Sequence, residues 1–255
     1  MMSEVLGVAV SQHDDGSRPG MHDLDILHTD RPHGAAEVTA AADGECLALW
    51  RLMNGNDERW IVPELDGGWL VSLDPAARAK SVRKELPGLL LELERSRTSC
   101  LSRRSTFDRH DLARVADGLG VVSAEQSGTD FPGSIYITLD LPAERSGGMV
   151  AITGDPLAQW ISSFLKDGGR RDVRQKLARS GADERHAFVV MPGFTTAPFI
   201  VSDLLMRDGA SLPVEYPELP GEVTDVWAVS TWSSGAGFRW SPQAGWSTFP
   251  KSTAR

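Results

Sequence analysis

The sequence predicts an α/β fold, with a mixed central sheet and helices on both faces, from three observations. Segments with strand-like and helix-like patterns alternate along the chain, which favours a sheet covered by helices. The continuous apolar run from His186 to Met191 is typical of a strand that is buried on both faces. Asp74-Pro75 and Asp155-Pro156 each precede an apolar stripe at helical spacing, and Asp followed by Pro is a frequent helix start.

Length and charge narrow the class of protein. The chain has 255 residues and a net charge of −9, so it can bury a large core and is unlike a general polyanion-binding protein. Its apolar runs are too short to span a membrane, and the start MMSEVLGVAV lacks the basic and long apolar segments of a signal peptide. We therefore expect a cytoplasmic protein with no membrane partner. Cys46 and Cys100 make neither a disulfide framework nor a zinc set.

The N-terminal elements are predicted to be three strands. Glu4–Ser11 alternates weakly and favours a first strand, and the turn formers of residues 13–20 favour a loop after it. Met21–Leu27 alternates as a second strand should, and the turn formers between residues 30 and 34 reverse the chain. Ala35–Ala40 then predicts a third strand that forms a hairpin with the second.

This predicted hairpin carries the candidate chemistry of the chain. Asp23 and Asp25 share one face of their strand, and Glu37 and Thr39 share one face of the next, because successive side chains point to opposite sides. If the pairing register brings these faces together, opposed carboxylates lie about 4.8 Å apart and can share one divalent cation. The sequence therefore predicts a metal site with Asp23, Asp25 and Glu37 as ligands. Asp23 is favoured as the principal ligand, since Leu24 then belongs to the packed side of its strand.

The elements that follow suggest where the chain divides. Asp43 is suited to cap a helix that Gly55 ends, and residues 59–73 read as a strand pair. The helix opened by Asp74 should kink or split at Pro87. The polar and basic segment 95–104 predicts an exposed connection, which favours a nuclease-like core over residues 1–98 and a second α/β half over residues 99–255. One continuous domain is the alternative.

The second half shows the same alternation of helices and strands. The predicted elements are a helix Asp108–Gly118, a strand Ile135–Leu141, a helix from Asp155 to Gly168, a basic helix to Ser180, a strand His186–Met191, a helix Pro198–Met206, a strand Val223–Trp232 and a hairpin strand Phe238–Trp240.

The hairpin residues resemble a known family pattern. An acidic residue on one strand, followed on the next by a Glu-x-Lys-like triplet, is similar to the core of the PD-(D/E)xK nucleases, the restriction-endonuclease-like superfamily. Here Asp23 or Asp25 precedes Glu37-Val38-Thr39, and the resemblance covers roughly the first third of the chain by motif and element order. It implies a restriction-endonuclease-like core in the N-terminal half, with Asp23, Glu37 and Thr39 as catalytic residues and Mg²⁺ or Mn²⁺ as cofactor. Thr39 stands where the family usually has Lys, and a hydroxyl cannot supply the positive charge that stabilises the reacting phosphate.

Two basic segments are candidate nucleic-acid contacts. Residues 76–114 carry ten Lys and Arg against five Asp and Glu, and residues 166–185 carry seven against four. An acidic centre between basic segments suits a metal-dependent nuclease, although solvated helix faces give the same counts.

Histidines near the hairpin leave a second metal chemistry open. His13, His22, His28 and His33 surround the predicted strand, and histidine nitrogens suit transition metals. Their irregular spacing through loops favours surface histidines over such a site.

The sequence thus supports two functional hypotheses. The first is a Mg²⁺-dependent nuclease or nuclease-like protein that uses Asp23, Asp25, Glu37 and Thr39. The second is a non-catalytic α/β protein that binds a protein partner through its acidic first third or its Trp-bearing end, and the Thr at position 39 and the net negative charge favour it.

Overall fold

The computed structural model of the chain describes residues 1–55, 60–103, 110–127, 131–233 and 235–251. Its α-helices are α1 (Met2–Leu6), α2 (Gly44–Asn54), α3 (Ala79–Arg95), α4 (His110–Leu119), α5 (Ala143–Ser146), α6 (Asp155–Lys166), α7 (Arg171–Arg179) and α8 (Phe199–Met206). Its strands are β1 (Ala9–Gln12), β2 (Leu24–Leu27), β3 (Gly34–Ala40), β4 (Trp60–Ile61), β5 (Trp69–Leu73), β6 (Cys100–Ser102), β7 (Val121–Gln126), β8 (Ser134–Leu139), β9 (Arg185–Met191), β10 (Asp225–Ser230), β11 (Gly237–Ser241) and β12 (Gly245–Phe249).

The chain folds into two compact units. Unit 1 comprises Met1–Ala42 and Ala143–Arg255, and unit 2 comprises Asp43–Pro142. This division differs from the halves predicted around residue 98, because unit 2 is inserted into unit 1. The segment predicted as a connection, 95–104, contains β6, and β6 pairs with β7 inside unit 2.

Unit 1 is built on a seven-stranded mixed sheet with the order β1-β2-β3-β9-β10-β11-β12. The predicted hairpin is confirmed, since β2 and β3 pair antiparallel with Leu24 opposite Ala36 and Asp25 opposite Ala35. β9 runs parallel to both β3 and β10, so it is the strand that joins the hairpin to the rest of the sheet. These pairings confirm the predicted α/β class and mixed sheet.

Helices cover both faces of the unit 1 sheet. On one face, Ala35, Ala187 and Val226 belong to a core that includes buried residues of α6, α7 and α8. On the other face, Ile26 and Trp227 pack in a second cluster with Met2 of α1. Asp25, Ala35, Glu37 and Thr39 share the face of the larger core, because side chains alternate along each strand and Asp25 lies opposite Ala35.

Unit 2 holds a five-stranded sheet with the order β4-β8-β5-β7-β6. β4 and β5 lie on either side of β8 instead of pairing with each other. Helix α2 has the predicted ends: Asp43 Oδ1 accepts a hydrogen bond from the Cys46 amide at 3.0 Å, and Gly55 is the C-cap.

The opening stretch is a helix followed by a short strand, so the prediction of a strand over Glu4–Ser11 was wrong in its first half. Met2, Val5 and Leu6 are spaced by one helical turn and pack in the second cluster. Gly7 ends α1 in the left-handed region at φ 68°, and its amide donates to the Ser3 carbonyl.

Helix α3 also differs from its prediction. It begins at Ala79, because Asp74 caps a turn in which its Oδ1 accepts from the Ala76 amide. Pro87 lies inside the helix without splitting it, since buried residues such as Val82, Leu86 and Leu90 continue on both sides of the proline. The predicted start of the next helix at Asp108 lies outside the described residues, where α4 is seen from His110. Across the described ranges, no helix combines the length and apolar character needed to cross a membrane.

Candidate functional site

The hairpin places Asp23 beside Glu37. Continuing the β2–β3 register by two residues from the pair Asp25–Ala35 brings position 23 opposite position 37. The Asp23 carboxylate turns across the hairpin, where its Oδ2 accepts the Val38 amide at 2.7 Å. The residue after β1 adds a further constraint, since the His13 amide donates to the Asp23 carbonyl at 2.8 Å. Asp23 thus lies just before β2, which begins at Leu24, and is level with Glu37 of β3.

Glu37 is buried, with only 3% of its surface exposed. Its Oε1 accepts a hydrogen bond from Lys176 Nζ at 2.7 Å. Its Oε2 is also buried and has no hydrogen-bond partner among the described residues. A buried carboxylate oxygen without a donor costs about 1–3 kcal/mol or more, so this atom is suited to a cation.

The electrostatics of Glu37 follow from this position. Burial raises the pKa of Glu37 to about 7, and the negative charge of Asp23 adds to the rise; the Lys176 hydrogen bond and the Asp23 backbone amide oppose it. The same hydrogen bond raises the pKa of Lys176, so the ammonium group stays charged. Near neutral pH, the Glu37 carboxyl therefore exchanges its proton easily, and a divalent cation would compete with that proton.

Lys176 reaches Glu37 from helix α7, which packs against β3 and β9. Val173 and Leu177 form the buried face of this helix. Position 176 falls at the edge of that face, three residues after Val173 and next to Leu177. The hairpin motif does not predict Lys176, because 139 positions separate this residue from Glu37. The sequence feature that could have indicated Lys176 is its position at the edge of the apolar face of an amphipathic helix.

Asp25 belongs to a neighbouring cluster with two histidines. Its Oδ2 lies 2.9 Å from His13 Nδ1 and its Oδ1 lies 2.8 Å from His22 Nε2. The two imidazole rings stack with centroids 3.9 Å apart. Burial raises the pKa of Asp25, but the hydrogen bonds from His22 and His13 outweigh it and leave the pKa below its usual value. His22 is buried, which differs from the prediction of surface histidines.

Thr39 lies two residues beyond Glu37 on the same face of β3. It is buried and stands opposite Val189 in the parallel ladder with β9. The structure thus groups Asp23, Glu37 and Lys176 directly, holds Asp25 with the histidines, and places Thr39 further along the strand.

A third cluster, around His186, lies on strand β9 and its surroundings. His186 Nε2 is 2.9 Å from Glu184 Oε1, and the Trp227 indole N–H donates to His186 Nδ1 at 2.8 Å. Both ring nitrogens are therefore used, with the proton on Nε2. His28 and Arg31 bind the other oxygen of Glu184 at 2.8 and 2.9 Å. Because both nitrogens of His186 and both oxygens of Glu184 have hydrogen-bond partners, this network is typical of a structural group in a protein core.

Two of these groups could hold a metal ion. Asp23 and Glu37 offer carboxylate oxygens, which suit Mg²⁺ or Mn²⁺. His13, His22 and Asp25 offer two nitrogens and one oxygen within 4.8 Å of one another, which suits a transition metal. Glu184, His186 and Asp225 are also close enough, but the Trp227 hydrogen bond leaves His186 no free lone pair.

The basic segments fall in different units. Residues 166–185 belong to unit 1 and include Lys176 and Arg179 of α7, whereas residues 76–114 belong to unit 2, with 104–109 outside the described part. Of the C-terminal tryptophans, Trp232 is exposed and Trp246 packs on the larger core of unit 1.

Comparisons with protein-family models, with curated proteins and with solved structures found no match.

Proposed function

We propose that unit 1 is a metal-dependent nuclease-like phosphodiesterase whose site is formed by Asp23, Glu37 and Lys176. The observation that carries this proposal is the Glu37 carboxylate, with one oxygen bound by Lys176 and the other buried without a partner. A carboxylate held in this way has an open coordination position. The adjacent carboxylate of Asp23 adds a second hard oxygen ligand, which fits the resemblance of the hairpin to PD-(D/E)xK nucleases.

Asp23 and Glu37 are the residues that would hold Mg²⁺ or Mn²⁺. When bound, such a cation supplies Lewis-acid activation of a phosphate oxygen and a water molecule of lowered pKa. The chain contributes the fixed positions of the two carboxylates, because β2 and β3 are paired and the Asp23 side chain is tied to the Val38 amide. Ligands on or directly beside paired strands reorganise little on binding.

Lys176 supplies the positive charge that Thr39 cannot. Its ammonium group is partly buried and lies within hydrogen-bond distance of Glu37. A lysine at this place can stabilise negative charge that develops on a reacting phosphate or orient the attacking water. The family pattern usually has this charge on the same strand as the glutamate, whereas here a helix delivers it.

Asp25 and Thr39 have supporting roles in this proposal. Asp25, held by His13 and His22, fixes the start of β2 and the side of the site next to Asp23. Thr39 offers a buried hydroxyl on the same face as Glu37, which can orient water. Neither residue is needed as the principal ligand of the cation.

The test is cleavage of single- and double-stranded DNA and RNA by the purified full chain with Mg²⁺ or Mn²⁺. We expect cleavage by the natural protein and a loss of at least about 10²–10³-fold in Lys176→Met, the range measured when one transition-state donor is removed. Glu37→Gln should lose at least as much, because an amide is a poor ligand for a hard cation.

An exposed pair offers matched controls for both variants. Lys166 Nζ lies 2.9 Å from Glu218 Oε2 at the surface, so Lys166→Met and Glu218→Gln make the same chemical changes away from the site. We expect both to cleave as the natural protein does. Cleavage that survives unchanged in Glu37→Gln and Lys176→Met would exclude the site, and no cleavage of any substrate would favour the interaction protein.

A further inference from the structure

A small pocket lies beside the candidate site and shares Lys176 with it. Its volume is about 290 Å³, and its lining comes from the loop before β2 and the last turn of α7. This volume is at the lower end of ligand pockets, so the pocket can take a phosphate group with part of a sugar.

Three permanent positive charges line the pocket, on Arg18, Lys176 and Arg179. Lys176 is paired with Glu37. The Arg179 guanidinium has no ion pair or hydrogen bond with any described residue. Arg18 likewise has no ion pair within the described ranges. Arginine is suited to bind phosphate oxygens in pairs, because its donors form a planar fork.

Nearby acidic residues lie outside the pocket lining, although the charges of Asp23 and Asp14 act on Lys176 and that of Arg18 acts on Asp15. Asp14 and Asp15 each accept a backbone hydrogen bond within their own loop, from Gly16 and Ser17. Asp25 accepts hydrogen bonds from both histidines. None of these three carboxylates is among the lining residues.

The loop is shaped so that Arg179 can approach it closely. Gly20 has φ +79°, and a Cβ atom at this position would lie 2.9 Å from Arg179 Nη1. Glycine is therefore favoured here by the left-handed backbone, and its lack of a side chain leaves room for the guanidinium. The guanidinium of Arg179 therefore lies close to the loop at the pocket.

The two histidines supply further polar groups. Both rings line the pocket, and each uses one nitrogen on Asp25, Nδ1 of His13 and Nε2 of His22. The second nitrogen of each ring has no hydrogen-bond partner in the described part of the chain. The pocket thus combines unpaired guanidinium groups with free imidazole nitrogens.

We infer that this pocket binds the terminal phosphate of a nucleic-acid strand, so that the neighbouring site acts at phosphorylated strand ends. A phosphate monoester carries a charge of about −1.5 to −2 at neutral pH, whereas an internal diester carries about −1, and two unpaired arginines favour the larger charge. The small volume fits a group at the end of a strand. The shared Lys176 places that end next to Asp23 and Glu37. Action at strand ends rests on the proposed nuclease function, whereas phosphate binding in the pocket is independent of that function.

The test is binding of short oligonucleotides to the full chain in EDTA, where no cleavage occurs. The probes are one labelled DNA hexamer with a 5′-phosphate, a 3′-phosphate or hydroxyl groups at both ends, followed by fluorescence anisotropy. We expect one phosphorylated hexamer to bind at least about tenfold tighter than the unphosphorylated one. Arg179→Gln and Arg18→Gln should each reduce that preference several-fold while binding of the hydroxyl hexamer stays the same.

The control is Arg171→Gln, at the first residue of the same helix and exposed, which should keep the preference. Equal binding of all three hexamers, or a preference that Arg179→Gln leaves intact, would overturn the inference.

Thymidine 5′-monophosphate is the final probe. If it binds as tightly as the phosphorylated hexamer, the ligand is a free nucleotide and the inference about strand ends is wrong. If the protein prefers a phosphorylated hexamer but cleaves no substrate, the nuclease function is rejected and the phosphate pocket is retained. If the protein cleaves nucleic acid but shows no such preference, the phosphate pocket is rejected and the nuclease function is retained.

Discussion

At the scale of single residues, Glu37 is where stability and function are in conflict. It is buried, it is charged when ionised, and one of its oxygens has no donor among the described residues. Each of these properties lowers the stability of a folded protein. A metal ion would relieve all of them at once, which is why this residue carries the proposed function.

Glu37 should make the protein less stable as the pH rises. Its pKa in the folded chain, about 7, lies above the ordinary 4.5, so protonation favours the folded state. That contribution is fully present below pH 4.5 and is lost as the pH rises through 7. We expect the free energy of unfolding of the natural protein, relative to Glu37→Gln, to fall between pH 5 and pH 8 by up to about 3 kcal/mol. Urea denaturation of both proteins in EDTA measures this, and a difference that stays flat or grows would contradict it.

Local and distant residues of the site were not equally predictable. Alternation along two consecutive strands was sufficient to predict the hairpin that brings Asp23 near Glu37, although β2 itself begins only at Leu24. Lys176 arrives from a helix far along the chain, and no periodicity in the sequence states which strand that helix covers. The two histidines at Asp25 lie in irregular loops, where spacing carries no such rule.

At the scale of elements, strand β9 is stabilised by a buried ionic network at its start. Hydrogen bonding from His186 lowers the pKa of Glu184 to about 2; burial opposes the shift, and the charges of His186, Arg31 and His28 add to it. A carboxyl whose pKa is lowered by folding contributes stability above its unfolded pKa, and the contribution is lost as the pH falls through the folded pKa.

Glu184→Gln should therefore destabilise the protein most near neutral pH. We expect the natural protein to exceed the variant by on the order of 2 kcal/mol in free energy of unfolding at pH 6. The advantage should shrink as the pH falls from 4.5 towards 2. Thermal unfolding across this range checks the prediction, with exposed Glu4→Gln as the control. An advantage that is constant across the range would show that the Glu184 pKa is not lowered in the folded protein.

Helix α3 shows how tertiary packing outweighs a local breaker. Pro87 has no amide hydrogen to donate to the carbonyl of residue 83, and an interior proline costs a helix about 3 kcal/mol. The helix nevertheless continues because its apolar stripe is buried on both sides of the proline. The N-cap of α2, by contrast, was read correctly from Asp43, since capping depends on residues three positions apart.

Replacing this proline should stabilise unit 2. Pro87→Ala restores the missing hydrogen bond in a half-buried position, and we expect the free energy of unfolding to rise by about 1–3 kcal/mol. Urea denaturation followed by helical circular dichroism measures the change. An unchanged or lower stability would indicate that α3 has adapted its geometry to the proline.

At the scale of the whole molecule, strands that are neighbours in the sheet are far apart in the sequence. β3 and β9 are neighbours in the seven-stranded sheet, yet unit 2 lies between them in sequence. The alternation of helices and strands was sufficient for the α/β class, because it depends on local patterns. The insertion was not visible, since the segment with the most linker-like composition, 95–104, contains the strand β6. The site therefore joins residues from both sides of the insertion.

The central claim is that one divalent cation binds between Asp23 and Glu37, and a Mn²⁺ titration at pH 8 by calorimetry tests it most directly. At this pH Glu37 is mostly ionised, since its pKa is about 7. We predict one ion per chain, at least about tenfold weaker binding in Glu37→Gln and in Asp23→Asn, and nearly unchanged binding in Asp25→Asn. Binding that is kept in Glu37→Gln but lost in Asp25→Asn would place the ion with His13 and His22 and contradict the account.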